Sequence, residues 1–476
     1  KVEKAEVPEK AMATVSAGTP ATNGTPAPRK PRAPRHGWHR ALEVIVIVAL
    51  IIGANVLITL GFELYSSLAN VMWDEYRAAA NENIDTVIVG SSTGQRSFDP
   101  AVLDATLGTT TFNMSTPAQE LDDSYTAAKQ AIEDHHVKRV ILALDYESVS
   151  TVKWPGSHVA FARAKMDGEP LLQAVADYGK LLTSPSFFGR ADSLCALFPW
   201  GYNHVKLDPG SVAANVRERL SGDNTLEAAK VVNGGWTYYG RGYGNYDNVI
   251  DYAQAQKDTS ISIHGLSDFK QTCLTQVADI ARLCRENGVQ LVVVVTPRPA
   301  FNVLVYGETY PEQMALLQQV VEDEGATFVD ANLLHAETYC PQDADFGDGE
   351  HLNRDGATRF SQAFAGVLKA LDAGQEVGSL SYSYAGWDQY LASIHQISAV
   401  VSRLDVGDGG AATVTAQAYT GTDVQVEYRF ALVEKDGSTT PIQDWSSSDS
   451  CDVPQGSRGE VMVCARVVGS AAGYDR

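Results

Sequence analysis

The sequence predicts an α/β protein: a three-layer α/β/α sandwich built on a parallel sheet, preceded by one transmembrane helix and followed by a small β-sandwich. Three observations predict it. From residue 84 to 374, short, continuously apolar, β-branched runs alternate with amphipathic helical patterns, as parallel strands covered on both faces do. An uncharged apolar run of nineteen residues comes before them, and a polar–apolar alternation of period two comes after, from residue 404.

Composition agrees. The chain has 476 residues, 44% apolar and 20% charged, with a formal net charge of −21. These are values of a globular protein, which excludes wholesale disorder, a collagen-like fibre and a disulfide-packed miniprotein. The acidic balance excludes broad electrostatic affinity for nucleic acid, so no nucleic-acid partner is expected. A mean hydropathy of −0.14 excludes a polytopic membrane protein.

Residues 1–40 carry eight bases and three acids, a net +5 that leaves −26 for the remainder. Rich in Ala, Pro, Thr and Gly, they read as a disordered basic segment. Residues 44–62 contain no charge and only Asn55 and Thr59 as polar side chains. A bilayer core of about 30 Å needs roughly 20 such residues as helix. We place the membrane helix at 41–63. The bases Arg29, Lys30, Arg32, Arg35 and Arg40 on its N-terminal flank put that end in the cytoplasm by the positive-inside rule. The expected location is a single-pass anchor in the cell membrane, with the bulk of the chain extracytoplasmic.

Residues 64–83 read as a helical stalk. Strands are expected at 86–89, 110–113, 140–144, 290–296 and 327–329, with helices at 117–136, 266–287, 310–324 and 355–373. Together these define an α/β domain at 84–374. An insertion at 148–267, rich in Trp, Tyr and Gly, interrupts it. Such insertions are either lids over a site or loops held by their own aromatics. Its stretch from Gly234 to Gly244 supplies Trp236, Tyr238 and Arg241 as candidate substrate contacts, joined by Glu147.

Residues 375–403 read as a linker and 404–476 as an immunoglobulin-like β-sandwich. The sequence begins without Met and stops at Arg476, which reads as a fragment with the sandwich cut short. Six cysteines in an oxidising compartment allow 15 pairings. Cys451 and Cys464, flanking a turn between strands, are the expected bridge. Cys273 and Cys284 lie about 16 Å apart along one helix, too far to bond. No C-x-x-C pair, H-E-x-x-H, EF-hand loop, P-loop or dinucleotide fingerprint occurs, so neither a metal nor a cofactor is expected. His135, Asp99 and Asp330 read as helix-end, cap or turn residues.

Two places carry chemistry. At the end of the first strand the chain reads Val89-Gly90-Ser91-Ser92-Thr93, and ligands of open α/β sheets bind outside the carboxyl ends of strands. Just before the last helix it reads Asp348-Gly349-Glu350-His351. A serine hydroxyl needs an imidazole to take its proton, and that imidazole needs a carboxylate to fix its tautomer. A D-x-x-H turn supplies both.

On these blocks the chain resembles the SGNH (GDSL-like) hydrolase superfamily, whose fold is flavodoxin-like. Within it the chain resembles the membrane-anchored extracytoplasmic branch that includes the teichoic-acid D-alanyl-transfer protein and relatives acting on cell-surface glycans. The resemblance implies Ser92 as nucleophile with its N–H in the oxyanion hole, His351 as base and Asp348 as orienting carboxylate. It also implies an oxyanion donor at Ser115, in Asn113-Met114-Ser115, where the family usually has Gly. The family's third-block Asn has no counterpart in Asp145-Tyr146-Glu147-Ser148.

The expected function is therefore that of a serine acyl-transfer enzyme, an O-acyltransferase or esterase, acting on a cell-envelope polysaccharide or teichoic-acid-like polymer. The branch implies a membrane-bound O-acyltransferase as partner. A strongly anionic polymer would be met by Arg96 or Arg241. The alternative, from another class, is a non-catalytic envelope protein that uses the same scaffold to bind a glycan or that membrane partner.

Overall fold

The computed structural model describes residues 37–62, 68–151, 155–183, 198, 200, 208–221, 235–251 and 268–476. The basic segment up to residue 36, Cys195, His204, His264 and Gly234 lie outside them. The chain divides into two units, Lys1–Val56 and Leu57–Arg476. Helix α1 (Gly37–Phe62) runs across the division. Its stretch Trp38–Thr59 is long and apolar enough to cross a membrane.

The second unit is built on five strands: β1 (Thr86–Gly90), β2 (Thr111–Asn113), β3 (Arg139–Leu144), then β6 (Gln290–Val295) and β7 (Thr327–Asp330), with β4 (Trp236–Gly240) and β5 (Tyr243–Tyr246) in the insertion. They form one parallel sheet in the order β2-β1-β3-β6-β7. The chain reverses direction across the sheet at β1, the topological switch point where α/β sheets open a crevice.

Side-chain alternation divides the sheet's two faces. Val87, Val89, Val140, Leu142, Val293 and Val295 point to one face. They pack against α2 (Leu68–Ala78), α5 (Leu121–Asp134), α10 (Gln271–Glu286) and α12 (Thr309–Asp323). Ile88, Ile141, Ala143, Val292, Val294 and Val329 point to the other. There they meet α4 (Pro100–Leu107) and α13 (Arg354–Asp372), through Leu103, Phe360 and Phe364. Strands buried on both faces explain the continuous apolar runs.

The insertion supplies helices α7 (Pro155–Met166), α8 (Leu171–Thr183) and α9 (Pro209–Ser221) and a hairpin of β4 (Trp236–Gly240) and β5 (Tyr243–Tyr246). The hairpin turn presses on β2: a Cβ at Gly242, φ +77°, would lie 1.6 Å from the Asn113 carbonyl oxygen. Glycine is required there.

Three expectations are corrected. The stalk is not free-standing: within it, α2 buries Met72, Trp73 and Tyr76 in the sheet's own core. Their spacing makes one apolar helical face, and such a face is buried wherever a partner exists. The linker is not a spacer either. It contains α14 (Trp387–Ser393), whose Trp387 and Tyr390 join the same core, and strand β8 (Ala399–Val406) already begins inside it.

The third concerns the cysteines. Beyond β8 come β9 (Ala412–Tyr419), β10 (Val426–Val433), β11 (Thr439–Ser446), β12 (Ser450–Val453) and β13 (Glu460–Val467). They make two antiparallel three-stranded sheets, β12-β9-β8 and β11-β10-β13, around a core that includes Val414 and Phe430. Cys451 and Cys464 are both free thiols. Cys451 packs towards that core, but on β13 the core takes Val461, Val463, Ala465 and Val467. Strand parity turns Cys464 to the opposite face.

Candidate active site

The site grows from the end of β1. Gly90 has φ +152°, and a Cβ there would lie 2.2 Å from the Ala143 carbonyl oxygen of β3. Only glycine lets the chain pass this close before turning into the short helix α3 (Ser92–Ser97). Ser91 caps that helix by position but its side chain accepts from no helix amide. Its hydroxyl instead donates to Asp145 Oδ2 at 2.9 Å, which anchors the turn to the end of β3. Ser92, the first residue of the helix, is left at the mouth of the crevice.

The second half comes from the loop before α13. A bridge between Phe346 and Leu352 and the bond from the Gly347 amide to the His351 carbonyl close it into a tight turn. Inside it, Asp348 Oδ1 accepts from the amides of Glu350 (2.9 Å) and His351 (2.8 Å). Asn353 then caps α13 by accepting from the Gly356 amide. This turn puts His351 Nδ1 2.9 Å from Asp348 Oδ1 and His351 Nε2 2.8 Å from Ser92 Oγ. A carboxylate can only accept, so Nδ1 carries the hydrogen and Nε2 accepts from the serine hydroxyl.

Asp348 has a second partner, and this one is a cation. Arg96, one helical turn after Ser92, reaches Oδ2 with Nη1 at 2.9 Å. Burial alone would raise the Asp348 carboxyl. The His351 hydrogen bond and charge, Arg96 and the Glu350 amide outweigh it and hold the group well below the usual carboxylate range. Arg96 is itself fixed by the insertion hairpin: Nε donates to Asn245 Oδ1 at 3.1 Å, Asn245 returns a bond to the Arg96 carbonyl, and the guanidinium lies over the Tyr246 ring.

The oxyanion side differs from expectation. First-turn amides of a helix lack an i−4 acceptor, and the Ser92 N–H has none among the described residues. The Ser115 N–H is occupied, donating to Asn113 Oδ1 at 3.0 Å, while the Ser115 hydroxyl is buried with no partner among the described residues. At the end of β3, Asp145 is turned away into bonds of its own. It caps α6 (Tyr146–Ser150) through the Ser148 amide at 2.6 Å and accepts from Ser91 and Thr93. Arg298, 2% exposed, stands behind it with Nη2 4.0 Å from Asp145 Oδ2 and its guanidinium over the Tyr146 ring.

No family model matches the chain, and no curated protein matches it. Among solved structures it is similar to one described as a lipolytic protein of the G-D-S-L family from Desulfitobacterium hafniense DCB-2. The two share 9% identity at a TM-score of 0.26, over 60% of this chain and 99% of the other.

Ser92, His351 and Asp348 are thus brought together from β1 and a loop some 260 residues later. Tyr238 and Arg241 are not delivered to that cluster. The Tyr238 hydroxyl bonds Glu75, and Arg241 pairs with Glu82 at 2.7 Å, so both fasten the hairpin to α2 and the turn after it. Of the two arginines proposed for an anionic polymer, Arg96 is 6% exposed and paired with Asp348, whereas Arg241 is part-exposed in its pair with Glu82. Trp236 packs edge-on to Tyr246, at one remove from Arg96. Half-buried Glu147 lies in the field of Arg298.

Sequence reasoning missed Asn245, Asn302 and the role of Arg298. Asn302, on α11 (Ala300–Leu304), accepts from the Tyr146 hydroxyl and donates to the Gly349 carbonyl at 2.7 Å, steadying the histidine turn. His135 reaches the Glu82 carbonyl, Asp99 caps α4, and Asp330 accepts from Tyr310 and Tyr384.

Proposed function

We propose that this chain is a serine acyl-transfer enzyme anchored in the membrane by α1, with its α/β body outside the cytoplasm. One observation carries the reading: a single imidazole is hydrogen-bonded at Nε2 to Ser92 Oγ and at Nδ1 to Asp348. His351 takes the Ser92 proton as Oγ attacks an ester or thioester carbonyl carbon. Asp348 holds the imidazolium that forms, and the Ser92 N–H faces the developing oxyanion. His351 then gives the proton to the leaving alkoxide or thiolate. In the second half His351 takes the proton of an incoming hydroxyl, of a sugar in transfer or of water in hydrolysis, as its oxygen bonds the acyl carbon; the Ser92 Oγ–carbon bond then breaks and the proton returns to Oγ.

The proposed acceptor is a cell-envelope glycan or teichoic-acid-like polymer. The proposed donor is a membrane-bound O-acyltransferase that hands the acyl group across the bilayer. The basic flank of α1 supports the outward orientation. The occupied Ser115 amide favours the second reading, a scaffold that binds such a polymer without turnover. Hydrolysis of p-nitrophenyl acetate by the detergent-solubilised chain decides between them. The enzyme reading requires turnover that Ser92→Ala abolishes; equal rates for both proteins refute it.

A further inference from the structure

An oxygen that becomes an oxyanion is held by preorganised donors, and losing one costs a large part of the rate. Of the two amides expected here, the Ser92 N–H has no acceptor among the described residues, and the Ser115 N–H is tied to Asn113. A charged donor stands behind Asp145, the residue that anchors the Ser92 turn. Arg298 is buried at 2% exposure, yet its Nε and Nη2 have no acceptor among the described residues. Its Nη1 makes only a long 3.4 Å bond to the Tyr146 hydroxyl. Buried donors without partners are costly, and a charged one most of all.

Its contacts lead toward both halves of the triad through Asp145 and Tyr146. Nη2 is 4.0 Å from Asp145 Oδ2, the atom that receives the Ser91 and Thr93 hydroxyls on either side of Ser92. Tyr146, under the guanidinium, bonds Asn302, which holds Gly349 in the histidine turn. The charge around it selects its ligand. Asp145, Glu147 and Glu350 all act on Arg298. A second anion would meet three carboxylates, whereas a neutral carbonyl oxygen meets that opposition only as it gains charge.

We propose that Arg298 is the oxyanion donor that completes this site, binding the carbonyl oxygen of the acyl substrate through Nε–H or Nη2–H. The inference rests on the serine acyl-transfer reading above. As the Ser92 Oγ–carbon bond forms, the carbonyl π pair moves onto oxygen, and the guanidinium holds that charge without giving up a proton. The Ser92 proton goes to His351 Nε2. On collapse the pair returns, the ester C–O bond breaks, and the leaving oxygen takes the proton from His351.

The test uses the solubilised full chain, p-nitrophenyl acetate as substrate and a trifluoromethyl ketone as transition-state analogue. Arg298→Gln should lower kcat about 10²–10³-fold with KM little changed, and weaken the ketone in proportion. Arg298→Lys, which keeps the charge beside Asp145, should fold and still lose at least about tenfold; it carries the test if the Gln variant lacks a native melting transition. A role limited to neutralising Asp145 predicts that Asp145→Asn restores the Arg298→Gln enzyme; we expect no restoration. A rate within about threefold of wild type in R298K or R298Q, or recovery in the double variant, overturns the proposal while leaving Ser92 as nucleophile. A wild-type chain that neither turns over nor binds the ketone overturns the acyl-transfer reading itself, and this inference with it.

Discussion

Arg96 Nη1 lies 2.9 Å from Asp348 Oδ2, so the carboxylate that bonds His351 is shared between the imidazole and a guanidinium one helical turn from Ser92. The same helix thereby presents Ser92 to one end of the dyad and Arg96 to the other.

That sharing has a pH signature. The Asp348 carboxyl is lowered in the folded chain, so its contribution to stability is fully present above its unfolded value of about 3.9 and fades as pH falls through the lower native value. The melting-temperature gap between wild type and Asp348→Asn should hold steady from pH 7 to about 5 and close below about 4. Arg96→Gln raises the native value, so its gap should close at higher pH. A gap that widens on acidification contradicts the assignment.

Asn245 is fully buried and holds Arg96 at both its Nε and its carbonyl. Asn245→Ala leaves a buried guanidinium donor unpaired, at a cost of about 1–3 kcal/mol. Thermal melts should register that loss, and kcat should fall about tenfold with KM nearly constant, because the hairpin acts through Asp348.

Gly90→Ala places a Cβ 2.2 Å from the Ala143 carbonyl in a conformation that favours glycine. We expect a loss of about 2–4 kcal/mol, read from urea unfolding, together with loss of activity. A variant of native stability would mean the strand end is less constrained than described.

The β-sandwich is seated on the α/β body. Phe301 and Leu304 of α11 form one apolar cluster with Ala399 and Tyr419. The same short helix carries Asn302, which steadies the histidine turn. Phe301→Ala should cost about 3–5 kcal/mol and lower kcat, although Phe301 is absent from the hydrogen-bonded triad. Unchanged kinetics would reduce the seat to mechanical support.

Cys451 and Cys464 face different sides of the sandwich sheets and are free. Alkylation in denaturant without reductant should modify both. Protection of either thiol until reductant is added contradicts their placement.

Much of this was legible because its signals are local. Apolar strands, helical periodicity and the Asp348-to-His351 spacing each occupy a few consecutive residues, and the strand-end rule points to the Gly90-Ser91-Ser92 turn. Contacts made across the sheet left no such trace. Nothing near Asn245 or Asn302 in the chain points to Arg96 or Gly349. Two signals were present but unread. Arg96 sits four residues after Ser92, on the same helix face. The alternation Val461, Val463, Ala465 excludes Cys464 from the side that Cys451 occupies. The stalk and linker misled for a related reason: the apolar faces of α2 and α14 look like isolated amphipathic helices until the sheet that covers them is in place.

The account rests on Ser92 being a nucleophile activated by His351. Treating the solubilised chain with a fluorophosphonate and mapping the adduct by peptide mass spectrometry tests this most directly. The account predicts one phosphonylated residue, Ser92, with labelling lost in Ser92→Ala and strongly slowed in His351→Ala. An unmodified Ser92, or labelling that His351→Ala leaves unchanged, would contradict it.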